Sequence, residues 1–180
     1  MPPFASSPPA VSIPARVISP SGGDDYAAAQ AALNACAADG KELIVNGMCL
    51  LSQGLALTTG WPKGLTIRGA TAGSGFQVLN SAADAIKILS LRGGGEGGLV
   101  VQDLKLKWRG SATRQTGGCA IEIAGDLNGA WKYKLDNLLC LYNYDGIVIS
   151  GGDQLGASIG SILDCDVHSF VRYGIWMKGC

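Results

Sequence analysis

Short runs in which apolar and polar residues alternate fill the chain after Gly40, and glycine or a polar turn separates nearly all of them. Alternation with a period of two places every second side chain on the same face of a β-strand. The predicted strands are ELIVNG, LTIRG, AIKILSL, LVVQDLKLKW, AIEIAG, YKLDNLLCLYN, GIVISG, SILDCDVHS and GIWMKG. Most of the chain is therefore predicted to be β-structure.

Two segments before these strands have a different pattern. Residues 1–22 are rich in proline, serine and alanine, and we expect them to form an extended arm without a core of its own. The following segment, DDYAAAQAALNACAADG, begins with two aspartates suited to a helix N-terminus and ends with a glycine suited to a left-handed C-terminal residue. It predicts one helix over about residues 24–38.

The predicted strands repeat in two families. In the first, residues 104–108 (LKLKW), 138–142 (LLCLY) and 163–167 (LDCDV) align, and their leading leucines are 34 and 25 residues apart. In the second, the leading isoleucines follow one another at steps of 35, 26 and 28 residues, at Ile86, Ile121, Ile147 and Ile175. The two families interleave, so each repeat contributes one strand of each kind.

A repeat of about 25 residues with several short strands and no helix predicts a parallel β-solenoid, in which equivalent positions stack along the axis. Stacked columns are expected for Cys140 with Cys165 and for the four isoleucines. An antiparallel β-sandwich has strands of similar length and is the alternative. The in-phase repeats favour the solenoid.

Composition narrows the functional classes. The 14 basic and 14 acidic residues give a net charge of +0, which disfavours a nucleic-acid partner bound through its phosphates. No apolar run approaches the ~18 residues of a membrane span, and the proline-rich start lacks the apolar region of a signal peptide. We therefore expect synthesis in a cytoplasm, without nucleic-acid binding or membrane insertion.

The six cysteines do not predict a metal site, because no two form a CxxC pair and His168 is the one histidine. Most of them lie within apolar strand patterns, where a free cysteine behaves as a small hydrophobic residue. We expect buried thiols, with no metal and no cofactor.

Residues 22–71, GGDDYAAAQAALNACAADGKELIVNGMCLLSQGLALTTGWPKGLTIRGAT, resemble the opening of right-handed parallel β-helix proteins of the pectate-lyase-like superfamily. In these proteins an acidic pair opens a capping helix, and an apolar strand and an xLxIxG coil follow. The resemblance runs over residues 21–180 and implies a right-handed β-helix over residues 23–180, whose first coil the helix covers. Because a solenoid needs a polar cap at its far end, we expect these residues to be the N-terminal part of a longer β-helix.

The superfamily includes polysaccharide lyases, polygalacturonases and bacteriophage tailspikes. The resemblance implies a tailspike or tail-fibre segment, a homotrimeric virion component that binds host surface polysaccharide and joins other tail proteins through residues 1–22. The alternative is a polysaccharide-degrading enzyme, either a lyase or a glycoside hydrolase.

Asp164 and Asp166 are the acid/base candidates for that alternative. If Leu163 and Cys165 face inward, the two carboxylates share the outer face of one strand at roughly 6.5–7 Å. That spacing overlaps the ~6.5–9.5 Å between the acid and base of an inverting glycosidase. A solvated outer face is the alternative interpretation.

Four further residues are candidates for carbohydrate binding. Trp131 and Tyr133 lie in a predicted loop, and Trp176 lies on an outer ladder with Lys87, Glu122 and Val148; His168 follows Asp166. Exposed aromatic rings stack on sugars, although a hydrophobic lid or a subunit interface also explains them. Leu139 and Leu141 also point outward, which indicates a covered surface such as a subunit contact.

Overall fold

A computed structural model of the chain describes residues 15–58, 64–90, 98–109, 115–125, 132–151 and 160–178. The elements in these residues are β1 (Arg16–Ile18), α1 (Tyr26–Asp39), β2 (Glu42–Val45), β3 (Met48–Leu51), β4 (Leu55–Leu57), β5 (Thr66–Gly69), β6 (Gly75–Val78), β7 (Ile86–Ser90), β8 (Leu99–Gln102), β9 (Lys105–Trp108), β10 (Cys119–Gly125), β11 (Tyr133–Asp136), β12 (Leu139–Leu141), β13 (Asp145–Ser150), β14 (Gly160–Leu163), β15 (Asp166–His168) and β16 (Ile175–Lys178).

The strands form three parallel sheets. Sheet A has the order β1-β2-β5-β8-β11-β14, sheet B has β3-β6-β9-β12-β15, and sheet C has β4-β7-β10-β13-β16. From β2 onward each turn of the chain adds one strand to each sheet, which gives five turns. The predicted parallel β-solenoid is confirmed, and the antiparallel sandwich is excluded for the described strands.

The side chains that alternate inward from the three sheets form the core. In sheet C, Ile86 pairs with Ile121 and Ile121 with Ile147, and all three are fully buried. Burying one such side chain stabilises a fold by about 1.5–3 kcal/mol. Ile175 continues the column and so confirms its predicted register, but it is 50% exposed because no described strand covers the far edge of β16.

Helix α1 covers the first turn of the solenoid. Its buried residues are Ala29, Leu33 and Cys36, and it ends where predicted, at Gly40 with φ 66°. The N–H of Gly40 donates to the carbonyl of Cys36, which closes the last turn. In the described ranges, no helix combines the length and the apolarity needed to cross a bilayer.

The two aspartates before α1 connect the helix to the solenoid. Asp25 occupies the N-cap position, but its carboxylate makes no capping bond and instead accepts the N–H groups of Ser21 and Leu50. Burial alone would raise the pKa of Asp25, yet these hydrogen bonds outweigh it and the pKa is lowered. Asp24 accepts the N–H of Ser52, and hydrogen bonds from Ser52 lower the pKa of Asp24.

Three residues of the predicted arm form a β-strand. Arg16–Ile18 form β1, which pairs in parallel with Leu43–Val45 of β2 and so belongs to sheet A. These three residues of the predicted arm are therefore an edge strand of the solenoid, and an extended arm stays a prediction for the residues before them. Residues 1–14 lie outside the described residues.

Three segments predicted as single strands are each two strands joined by a sharp bend. The bends lie at Asp103, Asn137 and Asp164, whose φ values are 55°, 50° and 49°. Asparagine and aspartate adopt this left-handed conformation more readily than other residues with a Cβ atom. The Nδ2 of Asn137 donates to Oδ1 of Asp103 at 2.8 Å, so a hydrogen bond also joins the first two bends. We call these three residues the bend ladder.

The bend at Asp164 changes one predicted column. Cys140 stacks on Leu106, as the alignment requires, but its other partner is Val167 and not Cys165. The prediction was wrong because it aligned Leu163 with Leu138. Leu163 ends β14 in sheet A, before the bend, whereas Leu138 follows a bend, so the true register is shifted by two residues.

The buried-thiol prediction is confirmed for four of the described cysteines, which are free and buried: Cys36, Cys49, Cys119 and Cys140. Burial raises the pKa of Cys49 to about 11. Cys165 is free and half-buried, and Cys180 lies outside the described residues.

Candidate functional site

The outer face of sheet C carries the predicted ladder. Lys87 pairs with Glu122, Glu122 with Val148 and Val148 with Trp176, one residue from each of four successive turns. These four side chains alternate with the inward isoleucines of the same strands. The register that builds the core therefore also aligns this outer row.

A groove of about 410 Å³ runs along this row. Its charged and aromatic lining consists of Asp84, Lys87, Glu122, Tyr144, Asp145, Arg172 and Trp176, and we call it the sheet C groove. Asp84 and Asp145 lie at the start of the strand region, where the chain turns from sheet B into sheet C. Four turns of the solenoid thus contribute to one surface.

One end of the groove holds a lysine between two carboxylates. Lys87 Nζ forms an ion pair with Glu122 and lies 3.8 Å from Oδ2 of Asp84. Oδ1 of Asp84 accepts the N–H of Cys119 at 2.8 Å and its thiol at 3.1 Å. Desolvation lowers the pKa of Lys87, but the carboxylates outweigh it and the pKa is raised.

Asp84, Cys119 and Glu122 are also close enough to share a metal ion, since one ligand atom from each lies within 4.8 Å of the others. Two features work against that use. The ammonium of Lys87 already supplies positive charge to both carboxylates. Burial raises the pKa of Cys119 well above its ordinary value, which keeps the thiol protonated, whereas metals bind the thiolate.

The other end of the groove contains an ion pair between the buried Asp145 and the more exposed Arg172. Asp145 is 4% exposed and accepts two bonds from Arg172, from Nε at 3.0 Å and from Nη2. It also accepts the N–H of Tyr173 at 3.1 Å. Such two-point contacts between a guanidinium and a carboxylate fix orientation as well as distance. The hydrogen bonds from Arg172 to Asp145 raise the pKa of Arg172 further.

Three aromatic rings surround this arginine. The guanidinium carbon of Arg172 lies 4.7 Å from the ring centroid of Trp176, 5.0 Å from that of Tyr173 and 5.2 Å from that of Tyr144. The rings of Tyr173 and Trp176 are 5.1 Å apart and tilted by 34°. We call these three residues the aromatic platform. Cation–π attraction holds the platform in place.

Asp164 and Asp166 do not lie in this groove and do not share a strand. Asp164 is an exposed member of the bend ladder, whereas Asp166 is in β15 of sheet B. The proposed spacing along one strand is therefore wrong, because the bend breaks the alternation between them. Asp166 instead pairs with His168 at 2.8 Å, and the two stack against Leu139 and Leu141. Their chemical role stays a prediction.

The predicted aromatic residues have different outcomes. Trp176 lies in the sheet C groove, and Trp131 lies outside the described residues. Tyr133 was predicted to be exposed in a loop, but it begins β11 and is 5% exposed. Its ring occupies the space where a side chain on Gly160 would be, since a Cβ there would lie 1.9 Å from the ring.

Sequence reasoning missed Asp84, Asp145 and Arg172. Asp84 and Arg172 lie in turns before sheet C strands, and Asp145 is the first residue of β13, ahead of the alternating run GIVISG. A signal existed in the spacing, because Asp84 bonds Cys119 across 35 residues, which is the step from Ile86 to Ile121. Extending the repeat alignment into the turns would have brought these residues together.

A larger groove of about 550 Å³ follows the bend ladder between sheets A and B. Arg68, Thr71, Asp103, Lys105 and Asn137 contribute its polar lining, and none of its described lining residues is aromatic. The sheet C groove is therefore the better candidate for a ligand with both apolar and hydroxyl-bearing surfaces.

Compared with models of known protein families, with curated proteins and with solved structures, the chain has no significant match. The parallel solenoid itself rests on the strand pairing.

Proposed function

We propose that this chain is part of a right-handed, pectate-lyase-like β-helix of the bacteriophage tailspike or tail-fibre type, which binds host surface polysaccharide as a virion component. The observation that carries the proposal is the aromatic platform beside ion-paired carboxylates on the outer face of sheet C. The resemblance of residues 22–71 to that superfamily supplies the virion context.

A saccharide matches this surface chemically. A sugar ring has an apolar face that packs on an aromatic ring, and hydroxyl groups at its edge that donate to carboxylate oxygens. Trp176 is half-buried and held by Arg172, so little side-chain freedom is lost when a ligand stacks on it. Glu122 and Asp84 lie in the same groove as acceptors.

Binding should be measured on an array of bacterial surface polysaccharides with the wild type and two variants. Trp176→Ala is expected to lower polysaccharide binding about tenfold or more, because a buried aromatic contact carries much of the affinity at a binding site. Met177→Ala is the matched control, since it lies on the same strand with its side chain on the opposite face and is 56% exposed. Equal binding by both variants would contradict the proposal.

A homotrimer is part of the proposal. The half-buried Leu139 and Leu141 on the outer face of sheet B support a subunit contact there. Attachment to other tail proteins is proposed for residues 1–22, where β1 presents Val17 at 61% exposure. Light scattering after size exclusion is expected to give three times the chain mass, and a monomer at micromolar concentration would contradict the trimer.

The second candidate function is polysaccharide cleavage. The observation that favours it is the assembly of Asp84, Lys87 and Glu122, which places titratable groups in a ligand-sized groove. New reducing ends with an unsaturated, ultraviolet-absorbing product would indicate a lyase, and reducing ends alone would indicate a hydrolase. Glu122→Gln is expected to abolish either activity, with Asp39→Asn on α1 as the control.

A further inference from the structure

We infer that the sheet C groove selects glycans without carboxylate, sulfate or phosphate groups. The inference rests on the proposed function, because it names the class of polysaccharide that the same groove binds. It is carried by the arrangement of charges in the groove and not by the overall charge of the chain, which is zero.

The described lining of the groove has more acidic than basic residues. Asp84, Glu122 and Asp145 are the carboxylates, and Lys87 and Arg172 are the cations. The lining therefore carries one net negative charge, and Lys178 lies outside it with its Nζ 5.5 Å from the ring centroid of Trp176. An acidic polymer would bring a further negative charge to each sugar unit that enters.

Both cations are already engaged by carboxylates. Lys87 lies between Glu122 and Asp84, with its ammonium in contact with Glu122 and 3.8 Å from Asp84. A uronate that recruited Lys87 would leave Glu122 without its partner in a partly buried position. The groove offers no energetic gain for that exchange, because one carboxylate replaces another.

Arg172 makes a two-point contact with its carboxylate partner. Its Nε and Nη2 both donate to Asp145, which is 4% exposed, and its guanidinium is packed among the three rings of the platform. Withdrawing it to bind an acidic sugar would leave a buried carboxylate unpaired, which proteins avoid. The primary partners of the arginine are therefore Asp145 and Trp176.

Uncharged sugars meet none of these obstacles. The carboxylate oxygens of Asp84 and Glu122 accept hydroxyl donors while they keep their ion pairs, since each carboxylate has about four lone-pair sites. An amino group on the sugar would be favoured further by the net negative charge. The platform supplies the apolar contact in either case.

The inference also divides the two enzymatic alternatives. β-Elimination by a polysaccharide lyase removes the proton beside a uronate carboxylate, so it requires an acidic sugar in the groove. Of the two alternatives, only hydrolysis, in which water adds across the glycosidic bond, can cleave a glycan without such a group. If this groove is catalytic, a hydrolase is therefore expected.

The test uses the full chain on an array printed with neutral, amino-bearing and uronate-containing bacterial polysaccharides. Neutral or amino-bearing glycans are expected to bind at least about tenfold more tightly than uronate polymers at low salt. The difference should shrink as the salt concentration rises, because screening weakens the repulsion. Binding confined to uronate polymers would overturn the inference and leave the proposed function standing, whereas no binding to any glycan would overturn both.

Two variants test whether the selectivity comes from the sheet C groove. Asp84→Asn removes the excess negative charge of the lining and is expected to raise the ratio of uronate to neutral binding several-fold. Asp136→Asn is the control, since it removes one carboxylate from the outer face of sheet A, where Lys134 pairs with it. Equal effects of the two variants would show that net charge, and not the groove, sets the preference, and would contradict the inference.

Discussion

The inner and outer faces of sheet C differ sharply although the same strands build both. Inward, Ile86, Ile121 and Ile147 repeat one residue type in successive turns and are fully buried. Outward, their neighbours are Lys87, Glu122, Val148 and then Trp176, a different chemistry in each turn. The repeated inner column supplies stability, which leaves the outer row free to carry a binding surface.

The largest effect is expected from breaking the inner column. Ile121→Ala should lower the free energy of unfolding by about 2–5 kcal/mol, because it removes buried methyl groups and leaves a cavity between two turns. Glu122→Gln, one residue along on the outer face, should cost less than about 1 kcal/mol since its ion pair is partly solvated. Denaturant unfolding measures the loss of stability in each variant. Equal losses would contradict the difference between the two faces.

The bend ladder decides which residues face inward, so disturbing it should rank second. Asn137→Val is expected to cost about 1–3 kcal/mol, because a β-branched residue is strained at φ 50°. It also loses the hydrogen bond from Asn137 to Asp103. Asn137→Gly keeps the backbone conformation without strain and should cost less in the same unfolding experiment. A valine variant as stable as the glycine variant would show that the bend carries no strain.

On the outer face, the buried end of the groove is expected to be the most sensitive point. Asp145→Asn should lower stability by about 1–3 kcal/mol, since Arg172 loses a charged two-point partner that is 4% exposed. Glycan binding should fall as well, because the arginine no longer holds Trp176. If stability falls and binding does not, the platform is positioned by other contacts.

The smallest effect concerns pH and the exposed end of the groove. The pKa of Lys87 is raised in the folded chain, so its contribution to stability is complete below the ordinary lysine pKa of about 10.4 and is lost as the pH rises through the higher folded value. Urea unfolding between pH 9 and pH 12 should therefore show a steeper loss for the wild type than for Glu122→Gln. The variant serves as the control because Glu122 does not contribute to the raised pKa values of the buried Cys36, Cys49 and Cys140. Parallel curves would contradict the assignment.

Much of the fold was predictable because alternation and repetition are local properties of the chain. The isoleucine step placed the inner column of sheet C in register, and the residues beside it placed the outer ladder that ends at Trp176. The helix was predictable from its alanine content and from Gly40, whose φ of 66° favours glycine. These features depend on residues a few positions apart or on a fixed repeat.

Other features depended on the tertiary structure. A bend at Asp164 needs one backbone angle that an alternating pattern does not record, so the column through Cys140 and the spacing of Asp164 from Asp166 were both misassigned. The groove itself forms only when turns stack, since Arg172 reaches Asp145 across 27 residues and Asp84 reaches Cys119 across 35. By itself the sequence determined the parallel solenoid and the two faces of its strands, because side-chain alternation has a fixed period. Only the stacked turns decided which charged and aromatic side chains meet, because their contacts lie between coils.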